Sequence, residues 1–401
     1  MTASALVLDE ETSGWVRLDK LGVLIAAGVG LVLFLAPFVT FAANRIVLGE
    51  GLGIAEALPG AWAYGLVLVS VAIALLAIIR SPVWLRLSAS LAGIALLAVC
   101  VGIAASGLVE EGDTVARVSP ASGFWLLFAL FGLLAMDALA RLKLPPMQRI
   151  VLVVLAGAAL AVCLASGLWD DLSVMREYQN RAASFGREAE RHLFLALGSL
   201  GVAALVGIPL GVLCHEVKAV RGPVLGVLNI LQTVPSIALF GLLIAPLSWL
   251  SNAVPVLRDI GISGIGVAPA FIALFFYSLL PVVANTVVGL AGVSPAVTEA
   301  AAGMGMTERQ RLFRIKLPLA FPVILTGIRI VLVQNIGLAT IAALIGGGGF
   351  GVFVFQGVGQ TAMDLVLLGA LPTVALALAA AVLLDALIDM VRPAGLKETA
   401  R

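Results

Sequence analysis

The sequence predicts an all-α polytopic membrane protein with about ten transmembrane helices. Of its 401 residues, 61% are hydrophobic and only 12% are charged, and the mean hydropathy of +1.14 is far above that of soluble globular proteins. Apolar runs of about 20 residues, long enough to cross a bilayer core, alternate with short charged loops. The predicted spans are residues 21–43, 60–80, 85–106, 121–141, 149–168, 193–214, 222–247, 265–291, 319–345 and 366–391.

Lysine and arginine collect in alternate loops, which predicts that both termini are cytoplasmic, because short basic loops stay on that side of the membrane. The first residues carry Asp9, Glu10 and Glu11 and do not resemble a cleaved signal peptide, so we expect the first span to direct insertion. In this topology the segment 169–192, which contains four arginines, lies on the opposite, extracytoplasmic side of the membrane. Acidic residues balance the charge of these arginines, and the pattern predicts an amphipathic helix at the membrane surface.

Composition also excludes several functional classes. A net charge of +1 argues against a nucleic-acid partner, which would require a clustered basic excess. Cys100, Cys163 and Cys214 lie within or at the ends of apolar runs, where a thiol is expected to be a buried apolar group without a redox role. His192 and His215 are far apart at span ends, so we expect interfacial anchors and no metal site.

The polar segment divides the chain into two halves of five predicted spans. We expect an N-terminal five-helix membrane region (1–168), an extracytoplasmic connecting segment (169–192), a transport domain (193–391) and a cytoplasmic tail (392–401). An odd number of spans gives the halves opposite orientations, as in gradient-driven secondary transporters with inverted repeats. The halves share no sequence pattern, however, which argues against this alternative.

The cytoplasmic segment 294–318 is predicted to form two short helices. Ser294 can cap the first, with Pro295 in its first turn, and Gly303 and Gly305 then break it. Thr307 and Gln310 have the spacing of a capping box for the second helix, which Pro318 is expected to end. Exposed Leu312 and Phe313 complete a rigid elbow suited to docking a partner.

This segment resembles the EAA motif of bacterial ATP-binding-cassette (ABC) importer permeases in seven positions of fixed register. The matching residues are Glu299, Ala300, Ala301, Gly305, Ile315, Leu317 and Pro318. The resemblance implies a type I importer permease core of five helices, in which the elbow is a coupling helix seated on a separate ATPase subunit. Its partners would be ABC ATPase subunits, an extracytoplasmic substrate-binding protein, a second permease of the same or a different chain, and membrane lipid.

The chain lacks a Gly-x-x-x-x-Gly-Lys-Ser/Thr phosphate loop, so we expect no enzymatic activity, no catalytic residue and no cofactor on it. ATP and magnesium would bind the partner ATPase. The spacing of the dinucleotide-binding motif Gly-x-Gly-x-x-Gly is matched by Gly346, Gly348 and Gly351, but no strand precedes them as that motif requires. We therefore expect these glycines to form a closely packed bend at the end of the ninth span.

Polar residues embedded in the second half are candidates for a translocation path. They are Asn229, Gln232, Thr233, Ser236, Tyr277, Asn285, Asn335 and Thr340. Unpaired polar groups are costly in lipid, so these side chains either line a cavity or hydrogen-bond to neighbouring helices. Arg329, Asp385 and Asp389 are also embedded, and an ion pair that fixes helix packing is favoured over a proton relay.

Several runs in residues 192–401, including Gln232–Ser236 and Ala339–Gly351, resemble the osmoprotectant branch of these permeases. That resemblance implies uptake of glycine betaine, choline or a related quaternary amine across a bacterial cytoplasmic (inner) membrane. The five extra N-terminal helices resemble the long-subunit variant of the family. Because the chain has few aromatic residues and no clear aromatic cage, substrate choice is expected to lie mainly with the binding protein.

Overall fold

The computed structural model describes residues 18–44, 47–110, 112–259 and 261–392, and the predicted tail beyond Arg392 lies outside them. Nine helices in the described part of the chain are long and apolar enough to cross a membrane, and Lys20–Leu35 is a shorter apolar helix. The prediction of a helical polytopic membrane protein with about ten spans is confirmed.

The described residues fall into two compact units. The first runs up to Leu144 and includes Cys163–Ser173; the second contains Pro145–Val162 and the chain from Val174 onward. Residues 145–162, which the sequence analysis placed in the N-terminal region, therefore pack with the second unit. Arg149 in this segment forms ion pairs with Asp385 and Asp389 of the last helix. Such contacts between distant residues are not visible in the local sequence pattern.

The first unit is mainly helical but also contains a small antiparallel sheet that the sequence analysis did not predict. Its helices are α1 (Lys20–Leu35), α2 (Ile54–Ala57), α3 (Gly60–Ile78), α4 (Val83–Leu108) and α5 (Ser122–Leu142). Its strands are β1 (Val39–Ala42), β2 (Glu50–Leu52) and β3 (Arg117–Pro120), in the order β2-β1-β3. Val39 pairs with Leu52 on one side and Pro120 on the other. The sheet joins the chain segments that follow α1 and α4. Val118 of β3 and Phe38, which directly precedes β1, are both buried.

A buried ionic cluster lies at one end of these helices. Asp19 caps α1 and its carboxylate lies 2.9 Å from Arg86 Nη1 and 3.0 Å from Arg141 Nη2. Asp137, which lies within the predicted span 121–141, is 2.9 Å from Arg141 Nε and 3.6 Å from Arg86. Arg86 is only 1% exposed, and two carboxylates offset its charge.

The second unit contains twelve α-helices among the described residues. They are α6 (Pro146–Ala165), α7 (Ser173–Leu193), α8 (Ser199–Glu216), α9 (Lys218–Thr233), α10 (Ser236–Ala253), α11 (Pro255–Asp259), α12 (Val267–Ala291), α13 (Pro295–Gly303), α14 (Glu308–Arg311), α15 (Leu317–Ile341), α16 (Gly351–Gly359) and α17 (Met363–Val391). Two π-helical segments, Phe194–Gly198 and Leu312–Lys316, join α7 to α8 and α14 to α15 without a break.

Helix α12 is the centre of this unit and packs against α8 and α15. Small residues allow the close approach: a Cβ at Gly211 of α8 would lie 2.5 Å from the Cβ of Thr286, and one at Gly327 of α15 would lie 2.8 Å from the Cβ of Asn285. Such contacts supply the van der Waals packing that holds helices together in lipid, where the hydrophobic effect does not act between them.

Three expectations about local structure need correction. The predicted span 222–247 is two helices, α9 and α10, separated at Val234 and Pro235, because Pro235 cannot donate to the helical ladder. His192 is not an interfacial anchor: it is fully buried, and its Nδ1 accepts a hydrogen bond from the Phe350 amide at 3.3 Å. The amphipathic segment is the helix α7, but its apolar side packs on Phe350 and Phe353.

Candidate functional site

The cytoplasmic elbow begins with α13, the helix that carries Glu299, Ala300 and Ala301. Ser294 occupies the capping position, although its side chain makes no capping hydrogen bond, and Pro295 starts the helix. The helix ends at Gly303, and Gly305 follows with a φ of +81°, a conformation that favours glycine over residues with a Cβ. The predicted break between the two short helices is therefore present.

Thr307 and Gln310 form the predicted capping box at the start of α14. The Thr307 amide donates to Gln310 Oε1 at 2.9 Å, and the Gln310 amide donates to Thr307 Oγ1 at 3.3 Å. Pro318, however, does not end this helix. It lies in the first turn of α15, where a missing amide donor is tolerated, and the helical path continues to Ile345. The elbow is joined directly to a membrane-spanning helix.

The elbow presents an uneven surface. Glu299, Ala300 and Gly305 are exposed, and Ala301 is buried. Apolar side chains project outward as well: Met304 is 75% exposed and Phe313 is 58% exposed. Large exposed apolar groups beside small ones and a carboxylate are typical of a surface that a partner protein covers.

Of the remaining residues of the motif, Leu317 packs on the buried cluster of Leu290, Ala320 and Ile324. Leu312, which the sequence analysis expected to be exposed, packs on the same cluster. Ile315 is half-buried and Pro318 is exposed. Leu312 and Leu317 therefore anchor the elbow to the ends of α12 and α15.

A polar cluster lies where α9 gives way to α10. The Tyr277 hydroxyl donates to the Val234 carbonyl, which the helix break leaves without an intrahelical donor. The Gln232 amide donates to the Tyr277 carbonyl at 3.4 Å. The structure therefore brings Gln232 and Tyr277 together, and Ser236 begins the next helix on the other side of the break.

Asn335 is the centre of a second buried polar cluster. Its Nδ2 donates to Ser199 Oγ and to Ser278 Oγ, both at 2.9 Å, and joins α8, α12 and α15. The sequence analysis did not select these two serines. Both serines are polar residues within apolar runs, and this pattern could have marked them as candidates. The sequence does not show which polar groups meet, because that depends on helix packing.

The other predicted path residues are dispersed. Asn229 and Thr233 are exposed on α9. Asn285 donates to the Pro281 carbonyl of its own helix at 2.8 Å. Thr340 precedes the glycine-rich bend, where Gly346, Gly348 and Gly349 all have positive φ. The Gly349 amide donates to Glu188 Oε2 at 2.7 Å, so the bend is packed closely, as predicted.

The embedded charges form the expected ion pairs. Arg329 Nη1 lies 3.0 Å from Asp385 Oδ1. Arg149, the first residue of the predicted span 149–168, contacts both Asp385 at 3.1 Å and Asp389 at 2.8 Å. Its role depends on the packing of distant segments and has no local signal in the sequence.

Two family models match this chain, one in each half. Residues 19–175 match the family model of the ABC transporter permease YehY, N-terminal domain. Residues 207–394 match that of the binding-protein-dependent transport system inner membrane component. The solved structure of the MetNI methionine ABC transporter in inward-facing conformations aligns with a TM-score of 0.43 at 21% identity, covering 52% of this chain and 96% of that chain.

Three curated relatives cover the second half of the chain. The osmoprotectant import permease protein OsmW of Salmonella typhimurium is 42% identical over 207 residues, covering 52% of this chain and 91% of that protein. The choline transport system permease protein OpuBB of Bacillus subtilis is 36% identical, with coverage of 51% and 88%. The carnitine transport permease protein OpuCB of Listeria monocytogenes is 38% identical, with coverage of 52% and 88%. The chain belongs to the family of binding-protein-dependent transport system inner membrane components, the permeases of ABC importers.

Proposed function

We propose that this chain is the permease subunit of an ATP-driven importer of quaternary-amine osmoprotectants in a bacterial cytoplasmic membrane, with both termini in the cytoplasm. The observation that carries the proposal is the continuous helical path from the exposed elbow into α15. A displacement of α14 would move α15 with it, since the helical path from Glu308 to Ile345 has no break. Helix α13, which carries Glu299, is joined to α14 through the turn at Gly305.

The surface formed by Glu299, Ala300, Met304, Gly305 and Phe313 would contact the partner ATPase. Ala300 and Gly305 allow close approach, Glu299 supplies a charge, and the two large apolar side chains would enter a groove. ATP and magnesium would bind the partner, and nucleotide-driven closure would bias alternating access of this chain together with a second permease copy or a different permease.

The substrate proposal rests on the relatives. The substrates for which these relatives are named, osmoprotectants, choline and carnitine, suggest that this chain transports a compound of the same class. An extracytoplasmic binding protein would deliver it. The break between α9 and α10, with Gln232, Ser236 and Tyr277, is the polar region at membrane depth that we propose lies beside the path.

Reconstitution in liposomes tests the proposal. The chain, with its ATPase and binding protein, is expected to accumulate labelled glycine betaine or choline only when ATP is supplied. Glu299→Lys should reduce uptake at least tenfold, whereas the matched charge reversal Glu190→Lys, at an exposed site on α7, should leave it near wild type. Uptake driven by a sodium or proton gradient without ATP would contradict the proposal and favour a secondary carrier.

A further inference from the structure

A groove between α6 and α17 is not explained by transport or by coupling. It has a volume of about 630 Å³ and is lined by apolar residues. Helix α6 contributes Val153, Gly157 and Leu160, and α17 contributes Ala379 and Val382. No residue of α6, all of which the structure describes, is buried, so this helix stands apart from α17 along the groove.

The length of the groove matches one leaflet of a bilayer. Its lining on α17 runs from Pro372 to Val382, which at the rise of an α-helix is about 15 Å, half the thickness of a bilayer core. An acyl chain of one leaflet extends over this depth and can contact the apolar side chains along the whole groove.

The groove ends one turn before a charged cluster. Arg149, Arg329 and Arg392 lie here with Asp385 and Asp389. Three guanidinium groups and two carboxylates leave one net positive charge. The arginine side chains are between 28% and 40% exposed. A positive cluster at the end of an apolar groove matches a lipid with an anionic headgroup.

We propose that the groove between α6 and α17 binds one anionic phospholipid from the leaflet on the side of Arg149. Its acyl chains fill the space between the two helices, and its phosphate contacts the arginine cluster. The lipid replaces the direct side-chain packing that α6 lacks, because an empty apolar gap would forfeit dispersion contacts on both helices. Leu193 and Phe350 also line the groove.

Native mass spectrometry of the full chain after detergent purification tests the site. Wild type is expected to retain one phospholipid. The series Gly157→Ala, Gly157→Val and Gly157→Phe should lower retention stepwise, by at least fivefold for phenylalanine, because a Cβ at this position meets open space rather than protein. Leu155→Phe is the matched control: it lies on the opposite side of α6, is 58% exposed, and should retain lipid as wild type does.

Headgroup preference is tested by adding phosphatidylglycerol or phosphatidylcholine with the same acyl chains to delipidated protein. Phosphatidylglycerol should bind at least threefold more tightly, and Arg392→Gln should reduce that preference. Three results would each overturn the proposal. They are failure of wild type to retain lipid, equal retention in Gly157→Phe and wild type, and equal affinity of the protein for the two lipids. So would a loss of dimers in Gly157→Phe with an unchanged lipid count, since a second copy would then occupy the groove.

Discussion

The ammonium group of Lys316 lies 3.0 Å from Glu216 Oε1, and this pair joins the elbow to the end of α8. Glu216 is the last residue of α8, and Lys316 is the last residue of the π-helical segment before α15. Two helices that both pack against α12 thus meet at the elbow. The elbow is therefore linked to α8 by an ion pair and to α15 by the helical path.

Charge reversal tests this link. Glu216→Lys places a second cation beside Lys316, and we expect ATP-driven uptake to fall about threefold while folding is retained, because exposed ion pairs contribute only about 0–1 kcal/mol. The double variant Glu216→Lys with Lys316→Glu should recover most of the uptake. Measured uptake per ATP hydrolysed decides the outcome, and a double variant no better than the single one would exclude a role for the pair.

Gly305→Ala should destabilise the elbow. Its φ of +81° costs a residue with a Cβ roughly 1–2 kcal/mol, although no neighbouring atom would clash. Gly303→Ala is the control, because Gly303 is helical and also faces open space. Hydrogen exchange of the amides in residues 299–310 should be faster in the first variant only. Equal exchange in both variants would show that the turn tolerates a side chain.

Thr307→Ala removes one half of the capping box and is expected to weaken the first turn of α14 by about 1 kcal/mol. Ser294→Ala provides a matched comparison, because Ser294 occupies the capping position of α13 without a side-chain capping bond. The Gln310 amide should exchange several times faster in Thr307→Ala and at the wild-type rate in Ser294→Ala. Faster exchange in both would point to a general loosening of the segment.

Asn335→Ala should lower the stability of the second unit by roughly 1–2 kcal/mol, since it removes two buried hydrogen bonds between helices and leaves a small cavity. Asn229→Ala, at an exposed position, is expected to have little effect. Thermal unfolding of the chain in lipid nanodiscs compares them. A wild-type melting temperature for Asn335→Ala would mean that the serines find other partners.

Acid should destabilise the first unit through Asp19. Burial raises the pKa of this carboxyl, but hydrogen bonds from Arg86 and the Gly22 amide, with the charges of Arg86 and Arg141, outweigh it and hold the pKa below its ordinary value of 3.8. Since the folded pKa is the lower one, the stabilisation is complete above pH 3.8 and is lost as the pH falls through the folded value.

Replacement of this group should remove that part of the pH dependence. Asp19→Asn is expected to be less stable at neutral pH, because it leaves the buried Arg86 with a weaker partner set, and to lose less stability on acidification. Glu190→Gln, at an exposed site, serves as the control. Unfolding followed between pH 6 and pH 3 measures both effects; an unchanged acid slope in Asp19→Asn would assign the titration to another group.

The sequence by itself determined the membrane character, the number of spans and the elbow. Long apolar runs have few structural alternatives in lipid, since every backbone polar group must be satisfied within the segment. The capping residues Thr307 and Gln310 and the break at Gly305 depend on neighbours within a few positions. Local chemistry of this kind can be inferred without a structure.

Only the tertiary structure determined the contacts between residues that are distant in the sequence. The hydrogen bonds of Asn335 to Ser199 and Ser278 join residues far apart in the chain. The ion pairs of Arg149 with Asp385 and Asp389 do the same. The small sheet of the first unit depends in the same way on pairing between Val39 and Pro120. Such contacts follow from how helices and strands pack, and helical periodicity alone specifies only which faces are available for packing.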